Sequence, residues 1–346
     1  MLTRRPNLRL VRGLAGSALV LNVLLVVSGG AVRLTDSGLG CPTWPRCSAG
    51  SLTVTPALGI HGGIEFGNRL LGVVLEIAGI GLLAAVCVAR PRMPRSWRWL
   101  AAVQALVVPV QAVVGGVLVL TELNPYVRAL HFLVSFPITL SAAALLRRTL
   151  DGLAARGPLV RVEMRWLTSA LLLVTSAVVV VGALVTGTGP HAGDPRASAR
   201  IPLDPQAVIQ VHTDLVWILV GLAAATAVTA RIIPTPAPVR RSISCLIALI
   251  AVQAVLGYVQ YFTGVPSVLV ALHMLGAALL FTTAAWIHLS TTGCDRQSEP
   301  PTSRSRPWPA LALDPAERRP PVAMLPRGDE RPGPPRSRIW PASRAG

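Results

Sequence analysis

Residues 110–115 read VQAVVG and residues 128–133 read RALHFL; 142 positions later the chain reads VQAVLG at 252–257 and VALHML at 270–275. Gln111 stands before His131 at the same distance that Gln253 stands before His273. A pair of apolar segments that recurs with one fixed offset indicates a duplicated structural unit. The rest of the chain is organised around that duplication. The end of the first apolar segment, GGAVRLTDSG, matches VGALVTGTGP loosely, and GIEFGNRLL aligns with AVIQVHTDL. The second alignment sets Asn68 opposite His212 and Glu65 opposite Ile209.

The unit is a set of membrane helices. The 346-residue chain is 52% hydrophobic and only 14% charged, with a mean hydropathy of +0.58. A span needs about 20 largely apolar residues. Eight segments qualify, roughly 13–34, 63–89, 99–120, 127–146, 166–187, 206–230, 243–263 and 269–290. The first is longer than a signal-peptide core and runs into GGAVRLTD without a clear small-x-small cleavage site, so it is expected to be retained. The predicted fold is an all-α membrane protein with eight transmembrane helices, arranged as two parallel-repeat four-helix bundles. An even number of spans per repeat makes the repeats parallel rather than inverted. The expected organisation is a cytoplasmic N-terminus (1–12), an N-terminal bundle (13–146), a cytoplasmic linker (147–165), a C-terminal bundle (166–290) and an Arg/Pro-rich tail (295–346).

A net charge of +17 would suggest nucleic acid in a soluble protein, but its placement points to lipid. The chain has no Lys, and its Arg residues cluster in alternate loops. By the positive-inside rule those loops, and both termini, face the cytoplasm across the cell membrane. The tail lacks the apolar runs needed to bury a core, so it is expected to be disordered and held near anionic lipid. Cys41 and Cys47, in GCPTWPRCSAG, fall in the first outward loop, where an oxidising compartment permits a disulfide. Cys87 and Cys245 read as small apolar residues within spans, and Cys294 has no evident role.

His212 and His273 lie at similar depth near the outer ends of the sixth and eighth segments. Two such imidazoles on neighbouring helices can clamp one haem iron from both faces. Alternatively, they are unrelated buried histidines, each bonded to a backbone carbonyl. His131 occupies the equivalent place in the first half, where its partner position is Asn68, a poor iron ligand. The two halves therefore differ chemically: one iron site is closed, the other open. His61, His191 and His288 read as interfacial or loop residues. Glu65 and Asn68, three apart, share a helix face on the side that His131 approaches. That face is the expected substrate pocket, with Glu65 relaying protons and Arg69 meeting a propionate or Asp36. The plainer alternative is a Glu65–Arg69 charge pair that anchors the helix end.

In order along the chain, GGAVRLTDSGLGCPTWPRC, IEFGNR, LVTGTGPHAGD, VHTDLVW and ALHMLG resemble the haem A synthases, over about residues 20–290. The resemblance implies oxidation of the C8 methyl of haem O to a formyl group by way of an alcohol. It implies a haem b held by His212 and His273, a substrate haem in the N-terminal half near His131, Asn68 and Arg69, and a catalytic Glu65. It also implies an outward disulfide between Cys41 and Cys47, an external electron donor and a haem O synthase as partner. Two departures are Asn68, where many members have His, and the lack of a second Cys pair in residues 188–205. That loop is then expected to be held by its turn-forming Gly and Pro. The rival readings are a non-enzymatic membrane b-type haem electron carrier and, less well matched, a transporter. No flavin, nucleotide or iron–sulfur signature is present.

Overall fold

The computed structural model describes residues 7–89, 93–153 and 156–293. The tail 295–346, Cys294 and residues 1–6 lie outside the described residues. Eight long helices follow one another: α1 Leu8–Leu34, α2 Gly59–Val88, α3 Arg95–Leu120, α4 Pro125–Asp151, α5 Val162–Thr188, α6 Pro205–Ile232, α7 Ala237–Phe262 and α8 Ser267–Leu289. All eight are long and apolar enough to cross a membrane. Several outrun the apolar segments that predict them. α7, for example, begins six residues early, carrying Arg240 and Arg241. Arginines at helix ends keep their stems on apolar surface while the guanidinium reaches the interface.

Local signals set the ends. Asn7, Asn124 and Asp204 cap α1, α4 and α6 by accepting from backbone N–H groups of the first turn. Pro125 and Pro205 occupy first-turn positions, where no donor is lost. Gly152, at φ +79, closes α4. The 147–165 segment does not run free: β1 (Gly157–Pro158) pairs antiparallel with β2 (Thr292–Gly293). Arg156 donates to the carbonyls of Leu289 and Thr292 and pairs with Asp151, which also pairs with Arg147.

In the first half α1 packs on α2 and α4, and α3 completes the ring against α2 and α4. In the second half α5 packs on α6 and α8, and α7 lies against both. α1 and α4 meet α8 across the seam, and α4 also meets α5. Lipid provides no hydrophobic drive between helices, so close approach through small residues matters. Ala15, Ala18, Ala101, Ala142, Ala143, Ala284 and Ala285 are fully buried at such contacts. Larger residues such as Leu82, Trp97 and Leu145 fill the first core, and Leu171, Leu246 and Ile287 the second. At the seam the Phe136 ring meets Phe281 edge-on, with centroids 5.0 Å apart.

Candidate functional site

The polar groups gather toward the outer helix ends. Glu65, on the second turn of α2, is 5% exposed. Its Oε2 accepts from the Cys41 backbone N–H at 2.7 Å, and its Oε1 accepts from Arg69 Nη2 at 2.5 Å and Nε at 3.2 Å. Arg69 also donates to the carbonyls of Cys41, Thr43 and Arg46. Glu65 and Arg69 form an ion pair. Arg69 pairs with Glu65 across one helical turn and not with Asp36, because four residues put the two side chains on one face. Together they bind both backbone groups of Cys41, so the disulfide-bonded loop sits on α2 through a carboxylate and a guanidinium. The Cys41–Cys47 disulfide is formed. Gly40 packs against the His61 carbonyl where no Cβ fits, and Gly116 of α3 leaves room for the Trp44 indole. His61 itself meets Ser37 Oγ at 3.0 Å.

One turn further in, Asn68 Oδ1 accepts from Ser28 Oγ at 2.6 Å. On α4, His131 is backed by the bond from Gln111 Nε2 to its main-chain carbonyl, 2.8 Å. Gln111 thus helps position the very histidine with which it recurs in the repeat. The three deep histidines share a setting. A Cβ at Gly115 of α3 would lie 3.2 Å from the His131 ring, and one at Gly182 of α5 would lie 3.2 Å from the His212 ring. One at Gly257 of α7 would lie 3.6 Å from the His273 ring. The His131 and His212 rings therefore lie where a glycine on the preceding helix leaves tight space, while at Gly257 a Cβ would make only ordinary contact with the His273 ring. In all three the Nδ1 atom is buried with no hydrogen-bond partner among the described residues. A buried polar nitrogen left unpaired is costly, and only a group that reaches Nδ1 itself relieves that cost. Among the described residues, the alternative of histidines fixed to backbone carbonyls has no such bond at His131 or His273, whereas the His212 ring lies beside the Val178 backbone. His212 and His273 lie near enough to interact electrostatically. Among the described residues no three His, Cys, Asp or Glu side chains converge. The donor set is one imidazole in the first half and two in the second, which fits porphyrin irons, since the macrocycle supplies the remaining nitrogens.

Sequence reasoning missed three features. Glu76 lies mid-helix in α2 with Oε2 buried and unpartnered, hidden in an apolar run. Asn22 donates to Gln104 Oε1, and Gln104 donates to Ser141 Oγ and the Ile138 carbonyl, linking α1, α3 and α4. Arg33, Arg128 and Arg200 hold the loop 188–205. Arg33 donates to the His191 and Thr186 carbonyls, Arg128 to Ala192, and Arg200 to Gly189 and Pro190. His191 Nε2 in turn meets the Val265 carbonyl at 2.9 Å, and Gly38 N–H reaches the Gly193 carbonyl. The loop expected to rest on its turn residues is thus held mainly by arginines from both halves. Only the Arg-x-x-His spacing of Arg128 and His131 hinted at this in the sequence.

The chain matches the family model COX15-CtaA, cytochrome oxidase assembly protein, over residues 12–57 and 62–285. It is 31% identical over 187 residues to a haem A synthase of Lysinibacillus sphaericus, a match covering 52% of this chain and 59% of that protein. It is 32% identical over 174 residues to a haem A synthase of Exiguobacterium sibiricum, covering 48% of this chain and 56% of that protein. A protohaem IX farnesyltransferase of Haloquadratum walsbyi is 28% identical over 138 residues, or 40% of this chain and 28% of that protein. The chain thus spans less than two thirds of the length of the curated relatives it matches.

Proposed function

This chain belongs to the COX15-CtaA family of cytochrome oxidase assembly proteins, and on that premise we propose that it is a haem A synthase, oxidising the C8 methyl of haem O through an alcohol to a formyl group. The observation that carries the reading is the set of three imidazoles, each with its Nδ1 buried, at matching places in the helices, two of them packed tightly against a glycine of the preceding helix. His212 and His273 would hold a haem b between them. When bound, that haem supplies electron transfer between an external donor and the substrate side. His131 orients the substrate porphyrin in the first half. Asn68, fixed by Ser28, presents an amide rather than a second imidazole, so one face there is left to exchangeable ligation. Converting a methyl to an alcohol and then to a formyl group takes two electrons from that carbon at each stage, with dioxygen as the oxidant, and moves protons there; Glu65 is the buried carboxylate on this face that exchanges them. Its bonds to Arg69 and the Cys41 amide hold the carboxylate in place and connect it to the outward loop.

The chain is further proposed to lie in the cell membrane with both termini in the cytoplasm, on the strength of its alternating arginine loops. A haem O synthase would supply the substrate. A two-haem electron carrier is less well supported, because Asn68 stands where a second bis-imidazole site would need His. The test is expression in cells that make haem O but lack their own haem A synthase, followed by chromatography of the extracted haems. Haem A is expected with the wild-type chain and not with Glu65→Gln. Haem A at the normal rate with Glu65→Gln would exclude the role given to Glu65.

A further inference from the structure

Among the described residues, three arginines at the outer end of the seam form no ion pair with an acid. Arg33 ends α1, Arg128 lies in the first turn of α4, and Arg200 lies in the loop 188–205. They are close enough to repel one another, and none forms a salt bridge among the described residues. Each donates to loop carbonyls, yet Arg128 keeps its Nη2 buried and without a partner. Backbone carbonyls satisfy guanidinium hydrogens but leave the charge uncompensated, and uncompensated buried charge is unfavourable. Such a cluster suits a bound anion.

Arg128 precedes His131 by three residues, so both side chains leave the same face of α4, with His131 about 4.5 Å further in by helical rise. We infer that Arg128, with Arg33 and Arg200 behind it, binds a propionate carboxylate of the porphyrin carried by His131. This rests on the haem reading given above. A guanidinium suits a carboxylate through paired, charge-assisted bonds, and the Arg128 Nη1 bond to Ala192, 2.5 Å, sets the direction in which Nη2 is offered. The role falls to Arg128 and not Arg69, whose donors are already engaged by Glu65 and three carbonyls. The repeat gives a contrast: the position equivalent to Arg128 is Val270, an apolar buried residue. The carboxylate clamp therefore belongs to the substrate half alone. Because the same arginines hold residues 186–192, the loop forms a wall of the substrate site, and its order is coupled to the bound carboxylate.

The experiment uses the full-length protein purified with its resident haem and titrates haem O against haem O dimethyl ester, followed by absorbance. Wild type, Arg128→Gln, Arg128→Lys and His131→Ala are compared, with the resident haem spectrum reporting the fold. Wild type is expected to bind the diacid about tenfold or more tighter than the ester, the value of a charge-assisted bond. Arg128→Gln is expected to bind both alike, at the ester's affinity, and Arg128→Lys to keep part of the preference. An ester preference unchanged in Arg128→Gln overturns the inference while leaving His131-dependent binding intact. Binding that does not depend on His131 overturns the underlying haem reading, and the inference with it. If Arg128→Gln loses only retention of anionic phospholipid, the cluster is a headgroup site and the inference also falls.

Discussion

Replacing Arg69 by Ala isolates the contact that joins the outward disulfide loop to α2. The substitution removes two bonds to Glu65 Oε1 and one each to the carbonyls of Cys41, Thr43 and Arg46. It leaves a carboxylate whose side chain is 6% exposed with, among the described residues, only the backbone groups of Cys41 and Gly40 beside it. Breaking one side of a buried pair costs about 3–5 kcal/mol. Because the Arg69 side chain is 21% exposed, water compensates in part, and the lower end, about 3 kcal/mol, is expected. Glu65→Gln removes the charge but keeps an acceptor for the Cys41 N–H, so a smaller loss of about 1–2 kcal/mol follows. In the double variant no charge is stranded, and its loss should fall short of the sum by about 2 kcal/mol. Equilibrium unfolding in mixed micelles, followed by circular dichroism for the four proteins, measures the cycle. Additive losses within about 0.5 kcal/mol would refute the coupling.

Other perturbations separate the two halves. Gly182→Val should push the His212 ring from its slot and abolish the resident haem spectrum, whereas Gly115→Val should spare that spectrum and lower haem O binding; the reverse pattern in absorbance titrations would contradict the assignment. Glu76→Leu removes a carboxyl oxygen that is buried without a partner. It should raise stability by about 1–2 kcal/mol; a lower unfolding midpoint would reveal a contact in the native state. In the outward loop, hydrogen bonds from Arg196 hold the Asp194 carboxyl below the usual aspartate range. A depressed folded value stabilises above the unfolded value of about 3.9 and loses that stabilisation as pH falls through the folded value. Amide protection of residues 192–197, corrected for intrinsic exchange, should therefore be flat from about pH 5 to 8. Asp194→Asn should reduce it across that window, and only modestly, since Arg196 is largely exposed.

The helices were legible because hydrocarbon imposes length and composition on each span, as the run after Arg69 in α2 illustrates. The recurrence of Gln111 and His131 with fixed spacing was legible in the sequence, and in the first half that spacing is bridged by the bond from Gln111 to the His131 carbonyl. The Cys41–Cys47 bridge was reachable from loop position and the family resemblance. What stayed hidden depends on pairs remote in sequence. Arg33 and His191 are 158 residues apart, and nothing local to either marks the contact. Glu76 was lost for the opposite reason, a single carboxyl inside a strongly apolar run. At Arg69 several partners were open, and the one-turn spacing to Glu65 prevailed over the longer reach to Asp36 because a short loop between charges costs least in ordering.

The most direct measurement gives purified wild-type protein haem O, dioxygen and a reductant, and follows the extracted porphyrins over time. The expected course is loss of haem O, transient accumulation of the C8 alcohol and then haem A, with Glu65→Gln retaining the resident haem but forming neither product. Unchanged haem O beside a reduced, properly folded resident haem would contradict the enzyme and leave an electron carrier in its place.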